Sequence, residues 1–467
     1  MIDAKLPHLE KLLNPELLLQ QFKFKLADHL SSHRLMPNRC TIERIHHRKG
    51  KRCRVLFRIN MNGQFGTTSE QFFIGKMVKP GQATRQFESA QQTGELANGF
   101  WPAVQLWEEW DLVIWTFPND PAMPSLRIAA NPGFICSFVS ENLSKFGYNL
   151  SWRCIDASVT PVKYLPGRRC VLRIHVQLRN QAGAIENLRF YSKTYHDGHA
   201  LSHYRTLNQM HQQFDEMLNI PRPILFIDQA NTYWQEEWPG QPLVSMLEYA
   251  NWEVLFAHIG ELVARMHTTA VKDLPDKFNF ITVSRNAIED AKMLGWLLPQ
   301  HRDHMENVLD CLLQVQQSLR LQYIPTVTIH GALRLEQFIA SGNEVALLDF
   351  DSTSCGDPLY DVVELITSLQ FMELTHGYSR QMLSRAASAF QESYFRLVPW
   401  ELNRKRMAWY AASFLLGKMY NSYKRFDRKA IGNFDRALEI QTQWMNILQH
   451  KKVPSRRPVR RLTFAGK

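Results

Sequence analysis

Residues 327–361 read Val327-Thr-Ile-His-Gly-Ala-Leu-Arg-Leu-Glu-Gln-Phe-Ile-Ala-Ser-Gly-Asn-Glu-Val-Ala-Leu-Leu-Asp-Phe-Asp351, then Ser-Thr-Ser-Cys-Gly-Asp-Pro-Leu-Tyr-Asp361. Two short apolar runs, Val327 to Ile329 and Val345 to Leu348, end in polar residues and are joined through Ser341-Gly342-Asn343. That is the pattern of a small hairpin. Pairing of the two runs sets their polar ends on one side, with the loop that begins at His330 beside Asp349 and Asp351. Two carboxylates and a loop amide suit a hard cation such as Mg²⁺, which takes oxygen ligands and keeps water and substrate phosphates in its shell. An Asp just after a strand also serves as a plain turn former.

His330-Gly331 with the amide of Gln337 seven positions after the His, Leu348-Asp349-Phe350-Asp351, and Gly356-Asp357-Pro358-Leu359-Tyr360-Asp361 together resemble the aminoglycoside phosphotransferase and choline kinase family. The resemblance implies an α+β, bilobal protein-kinase-like fold, with a small antiparallel β-sheet lobe and a large, mostly helical lobe. It implies ATP or another nucleoside triphosphate as cofactor, together with Mg²⁺. Asp349 then resembles the metal-binding acid and Asp351 a second acid near the same cation, while Gln337 stands where the family holds metal with Asn. His330, Asp357 and Asp361 take structural roles, packing inside the loop, capping the next helix and bracing the loop. The chain departs from the pattern at Ala332, which stands where the family has its catalytic Asp. A methyl group neither accepts a proton nor orients a hydroxyl. Loss of a positioned base forfeits about 10²–10⁴ in rate, roughly 3 to 5 kcal/mol of barrier. Glu336 and Asp351 are the candidate substitutes.

Upstream, two segments look alike. Gly50-Lys51-Arg52-Cys53-Arg54-Val55-Leu56-Phe57-Arg58-Ile59 matches Gly167-Arg168-Arg169-Cys170-Val171-Leu172-Arg173-Ile174, and Lys76 follows Cys53 at the same spacing at which Lys193 follows Cys170. The likeness extends through Ala83 to Glu88 against Ala200 to Arg205, and through Val113 to Pro118 against Tyr233 to Pro239. An internal repeat of strand, turn, strand, strand, helix and hairpin follows. By the resemblance, this unit is the nucleotide-covering lobe, present twice. The copy adjacent to the metal stretch is the one expected to close over it, with Lys193 on the α and β phosphates, Gly167 and Arg168 in the turn over the phosphates, and Glu236 and Trp238 in a hinge that takes the adenine. Arg205 stands where the first copy has Glu88, so Lys193 either lacks a steadying acid or uses Asp197, whereas Lys76 and Glu88 retain the pairing.

These readings divide the chain into an N-terminal helical segment (1–36), a first, non-catalytic small lobe (37–130), a second, nucleotide-covering small lobe (131–240), a helical large lobe with the loop and metal motifs (241–450) and a basic tail (451–467). Apolar residues at helical spacing predict helices over Glu253–His267, Arg285–Trp296, Arg302–Leu321, Asp361–Leu374, Ser379–Val398, Arg404–Phe426 and Ala430–His450.

At 467 residues, 45% hydrophobic and 21% charged, the chain is long enough for two or three globular domains. No apolar run reaches the roughly 18 residues of a membrane span, and Met1 to Leu26 lacks a signal-peptide core, so a cytoplasmic protein is expected. Seven scattered cysteines show neither zinc nor disulfide spacing. The formal charge of +11 concentrates in Arg44–Arg58 and in the tail, so Lys49–Arg54 and the tail are candidate contacts for an anionic partner. Three functions fit: an ATP- and Mg²⁺-binding protein of this fold with weak or absent phosphoryl transfer, acting as a regulator or binder of an unidentified small molecule or protein; an active phosphotransferase on a small hydroxyl or amine compound; or a polyanion-binding protein, for which no zinc finger, aromatic RNA-binding signature or basic zipper speaks.

Overall fold

The structure, a computed structural model, describes residues 3–63, 68–91, 101–196, 198–214, 218–247, 251–342 and 344–449. The basic tail and Asp197 lie outside the described residues. The chain forms two compact units. The first comprises Met1–Gly240 with Ile339–Asp351 and Tyr423–Asp427, and the second comprises the remainder.

In the first unit, helices α1 (Leu9–Leu12), α2 (Pro15–Lys25) and α3 (Ala27–Ser32) precede the first sheet. Asn14 caps α2 by accepting from the amides of Glu16 and Leu17, and Pro15 occupies the first turn, where its missing N–H costs nothing. The sheet consists of β1 (Met36–Arg48), β2 (Arg52–Asn62), β3 (Thr68–Met77), β4 (Val104–Trp107) and β5 (Leu112–Thr116), in the order β1-β2-β3-β5-β4, with α4 (Ala83–Gln91) between β3 and β4. Alternate residues serve alternate faces. Phe57, Phe73, Leu112 and Ile114 pack with Leu12, Leu18 and Phe22 of the N-terminal helices. Leu56, Ile74, Val113 and Trp115 join a second core with Ile135 and Val139 of α6 (Pro132–Glu141), which follows α5 (Leu126–Ala129).

That second core also takes in Leu172, Ile174, Phe190 and Trp234 of another sheet. Its strands are β6 (Trp152–Leu165), β7 (Arg169–Asn180), β8 (Ile185–Tyr195), β9 (Pro223–Ile227) and β10 (Thr232–Glu236), in the order β6-β7-β8-β10-β9, with α7 (Ala200–Phe214) between β8 and β9. The two sheets share one strand order. Register agrees at the lysines: Lys76 lies opposite Arg54 and Val113, and Lys193 opposite Val171 and Tyr233.

The expected hairpin is corrected. Glu344–Leu347 is hydrogen-bonded to Phe338–Ser341, and Val327–Ile329 pairs instead with Ser354–Gly356. A tight turn at Gly342, with φ +58°, can join only the residues that flank it directly, so the run nearest in sequence wins. Leu347 N–H donates to Asn219 O at 3.0 Å, which fixes the strand that leads into Asp349 within the first unit. Asp349 and Asp351 thus group with the sheets and not with the helical unit in which they were expected.

The second unit is mostly helical, with helices Trp252–Thr268, Phe280–Leu297, Arg302–Arg320, Pro358–Thr375, Arg380–Leu397, Arg404–Lys424 and Phe434–Leu448. Asn251, Asn279, Asp357 and Ser379 cap four of them through side-chain oxygens. The whole is the mixed α+β class expected, antiparallel sheets followed by a helical region. No described helix is long and apolar enough to cross a membrane. All seven cysteines are free thiols.

Gly260 permits a close helix approach, since a Cβ there would stand 2.5 Å from Phe390 O and 3.1 Å from Ser393 Cβ. Gly260→Ala is expected to destabilise the protein by about 1–3 kcal/mol through overpacking, against its gain in helix propensity. Urea denaturation measures this; an unchanged midpoint contradicts the close crossing.

Candidate nucleotide site

Four sheet elements and one strand end converge in the first unit. Asp349 follows Glu344–Leu347 with φ +66°, a left-handed conformation that Asp tolerates better than most residues. This turns the chain so that Asp349 and Asp351 both meet the second sheet. Lys193, near the end of β8, donates from Nζ to Asp349 Oδ1 at 3.1 Å and Asp351 Oδ1 at 3.2 Å. Arg169, the first residue of β7, donates from Nη1 to Asp351 Oδ2 at 2.5 Å and to Asp349 Oδ1 at 3.3 Å, and from Nη2 to Asp349 Oδ2 at 3.4 Å. Lys163 of β6 approaches Asp349 at 3.5 Å. The hydroxyls of Tyr195 and Tyr233 donate to Asp351 at 2.7 and 3.2 Å.

The electrostatics follow from burial. Burial alone pushes the Asp349 carboxyl up, but Lys193, Arg169 and Lys163 more than offset it and hold it well below the usual carboxylate range. Burial alone pulls the Lys193 ammonium down, and Asp349 and Asp351 raise it above the usual lysine value. Both tyrosine hydroxyls are pushed up, first by burial and then by Asp351, so they stay protonated as donors. Three cations face two carboxylates. The local surplus is positive, which favours an anion as the next arrival.

Of the residues expected in the site, the fold therefore brings together Lys193, Asp349 and Asp351. Lys193 takes the two aspartates as partners; Asp197, the alternative of the sequence reading, lies outside the described residues. The corresponding expectation for Lys76 is corrected: Glu88 is exposed on α4, and no described residue bonds to the Lys76 ammonium, because the packing of α4 turns Glu88 outward. Gly167, with φ +68°, forms the expected turn, but its N–H donates to Asp120 Oδ2 at 2.5 Å, and Arg168 is exposed. Glu236 ends β10 with its carboxylate on Arg222 at 2.7 Å, and Trp238 is half-buried beyond it.

The basic stretch is also redistributed. Lys49 and Lys51 are exposed, whereas His47 is buried against Asp3 at 2.8 Å, Arg58 pairs with Glu43 and Glu70, and Arg54 donates to Pro166 O at 3.3 Å. Within Lys49–Arg54, Lys49 and Lys51 thus stay in solvent, and Arg54 is tied to a backbone carbonyl.

The remaining expected residues belong to the second unit. Asp361 is fully buried and accepts from His330 N–H at 2.5 Å and Gly331 N–H at 2.9 Å, while His267 Nε2 lies 3.2 Å from it. Gly331 has φ +76°, and a Cβ there would stand 2.4 Å from Ser352 O, so only glycine fits beneath this loop. Asp357 caps Pro358–Thr375 through Leu359 N–H and pairs with Arg406 at 2.9 Å; burial raises its carboxyl even so. Ala332 is half-buried, Glu336 exposed and Gln337 buried.

Sequence reasoning set Arg169 in the turn at the phosphates without its aspartate partners, and missed Lys163, Tyr195 and Tyr233. Arg169 was signalled only as the second of two arginines after Gly167, and the others carried no motif.

Among the described residues, no three of His, Cys, Asp and Glu lie together as a metal cluster. Two half-buried carboxylates are nevertheless the donor type that Mg²⁺ takes, with the remainder of its shell left to water and phosphate. The donors fit Mg²⁺ in kind. Arg169 and Lys193 hold them now, and both cations are also natural phosphate ligands.

Lys193→Met is expected to destabilise the protein by about 3 kcal/mol, because breaking a buried pair strands the partner charge, and Asp349→Asn added to it should recover part of that loss. The pH dependence has two arms. Asp349 is lowered, so its contribution stands above the ordinary carboxylate value, about 3.9, and is lost as pH falls. Lys193 is raised, so its contribution stands below about pH 10.4 and is lost as pH rises. Arg169→Met should therefore move acid unfolding to higher pH, and an unchanged acid midpoint would contradict the network.

Residues 172–410, just over half of the chain, match the model of the phosphotransferase enzyme family, designated APH. No curated protein sequence matches the chain. Similar solved structures include a choline kinase from Cryptosporidium parvum Iowa II (12% identity, TM-score 0.47, covering 68% of this chain and 98% of that one). A choline kinase from Streptococcus pneumoniae is 13% identical, with TM-score 0.42 and coverage of 66% and 98%. An aminoglycoside phosphotransferase from Streptomyces rimosus ATCC10970 is 19% identical, with TM-score 0.39 and coverage of 60% and 98%. Through the family model, which spans β7 to the helix Arg404–Lys424, the chain belongs to the phosphotransferase enzyme family.

Proposed function

We propose that the protein binds ATP or another nucleoside triphosphate with Mg²⁺ and transfers phosphate weakly or not at all, acting as a nucleotide-dependent regulator or binder. The observation that carries the binding half is the convergence of Lys193 and Arg169 on Asp349 and Asp351. A triphosphate offers the two cations new anionic partners. The aspartates, once released, are the residues that would hold Mg²⁺, and the ion would supply neutralisation of phosphate charge. Lys193 and Arg169 keep the phosphates in place, and the low-dielectric surroundings strengthen both contacts. The two sheets, with one strand order, are read as duplicated small lobes, the second being the nucleotide-covering one.

The weak-transfer half rests on Ala332. Asp351 is a poor substitute base, since Arg169, Lys193, Tyr195 and Tyr233 already occupy its oxygens. Glu336 is exposed. Membership of a phosphotransferase family favours a second reading, active transfer to a small hydroxyl or amine compound, because phosphoryl transfer depends mainly on positioning and charge neutralisation.

Thermal unfolding with ATP, with Mg²⁺ and with both separates these readings from an inert scaffold. Ligand at about 100 times its Kd stabilises by about 2.7 kcal/mol, enough to raise Tm by several degrees. The expected result is a Mg²⁺-dependent rise in the wild type that is lost in Asp349→Ala and Lys193→Ala, with acceptor-independent ATP hydrolysis at background in the wild type and raised in Ala332→Asp. No rise at any nucleotide concentration would overturn nucleotide binding. Rapid turnover of an acceptor by the wild type, abolished by Glu336→Gln, would overturn the weak-transfer half.

A further inference from the structure

The first sheet lies outside the matched family region and carries a cavity of about 980 Å³. Among the described residues its lining includes four cationic side chains, Arg54, Lys76, Arg85 and Arg127, against a single carboxylate, Asp120. That carboxylate is already committed: Asp120 is buried and accepts from Ala122 N–H at 2.9 Å, from Gly167 N–H at 2.5 Å and from Tyr164 OH at 2.9 Å. Its one negative charge does not balance the four positive ones.

Lys76 is the telling residue. It occupies the register at which Lys193 stands in the second sheet, yet Lys193 meets two aspartates while Lys76 is half-buried, with no hydrogen bond or ion pair to any described residue. Its cross-strand neighbour on β2 is Arg54, where the second sheet has Val171. Like charges directly opposite across a strand pair destabilise a sheet. Burial and the nearby Arg52 and Arg54 accordingly lower the Lys76 ammonium from its usual value. A bound anion would relieve that repulsion. Ile74 and Trp115 give the same cavity an apolar wall, and its volume is at the upper end of the roughly 300–1,000 Å³ of small-molecule sites.

We propose that this cavity is a second small-molecule site, which takes a nucleoside diphosphate or a chemically similar compound: phosphates on Lys76 and Arg54, and a flat apolar body against Trp115 and Ile74. Arg54 and Asp120 also connect it to the turn before Arg169. Arg54 donates to Pro166 O at 3.3 Å, and a Cβ on Gly167 would stand 2.7 Å from Arg54 Nη1. A phosphate that draws Arg54 inward loosens its hold on Pro166, so occupancy of the cavity is transmitted to the residues that precede Arg169.

The site is distinct from that of Lys193, and its test is built to stand whether or not nucleotide binds there. ADP is titrated calorimetrically into the full chain carrying Lys193→Met, which disables the second-sheet site, alone and combined with Lys76→Met or Arg54→Val. Arg54→Val installs the residue that the second sheet already carries at that register. Circular dichroism confirms that each variant is folded. The expected result is ADP binding in the Lys193→Met chain, weakened about ten- to hundredfold by either added substitution, as loss of one charged hydrogen bond requires. Hydrogen exchange over residues 160–170 should change with ADP in the same chain. Absence of ADP binding, binding indifferent to Lys76→Met and Arg54→Val, or binding that leaves exchange over 160–170 unchanged would overturn the proposal.

Discussion

The structure depends on how two half-buried carboxylates are kept charged. Asp349 and Asp351 stand where water cannot solvate them freely, and an uncompensated charge at such depth costs several kcal/mol. Lys193, Arg169 and Lys163 supply the compensation from three successive strands, β8, β7 and β6. The strand that ends at Leu347 is thereby tied to the second sheet by charge as well as by its hydrogen bond to Asn219. The same cations that stabilise the aspartates are chemically suited to phosphate. Structure and candidate function thus draw on one set of charges, and in the proposed function a nucleotide would enter by exchange of partners.

The second constraint concerns the turn before Arg169. Its glycine amide is held by Asp120, its Pro166 carbonyl by Arg54, and His196 of the following segment lies 2.5 Å from Ala122 O. All three grips come from the first sheet or the segment just after it. Here the turn is held from the first sheet and the segment after it, within the same compact unit.

Legibility in the sequence varied with the range of the interaction. Lys193, Asp349 and Asp351 could be found because motif and spacing carry them, and the helices of the second unit followed from their apolar periodicity within a few residues. Strand pairing around Gly342 was misread, because two equally apolar runs competed and only the shortness of the turn decides between them. The pairing of Lys76 with Glu88 failed for another reason: spacing places both on neighbouring elements, but helix rotation is set by packing of Ala83 and the half-buried Phe87, which leaves Glu88 in solvent. Arg169 and Asp120 act over separations of more than forty residues, and no local pattern marks such a partner. Ala332 is read directly from the sequence, and the proposal of weak transfer rests on it.

The central claim is that Lys193 and Arg169 trade carboxylate for phosphate. A crystal structure with a non-hydrolysable ATP analogue and Mg²⁺ tests it most directly. The account predicts Lys193 Nζ and the Arg169 guanidinium on phosphate oxygens, with the metal bound by Asp349 and Asp351. Nucleotide bound elsewhere, with both cations still paired to the two aspartates, would contradict it.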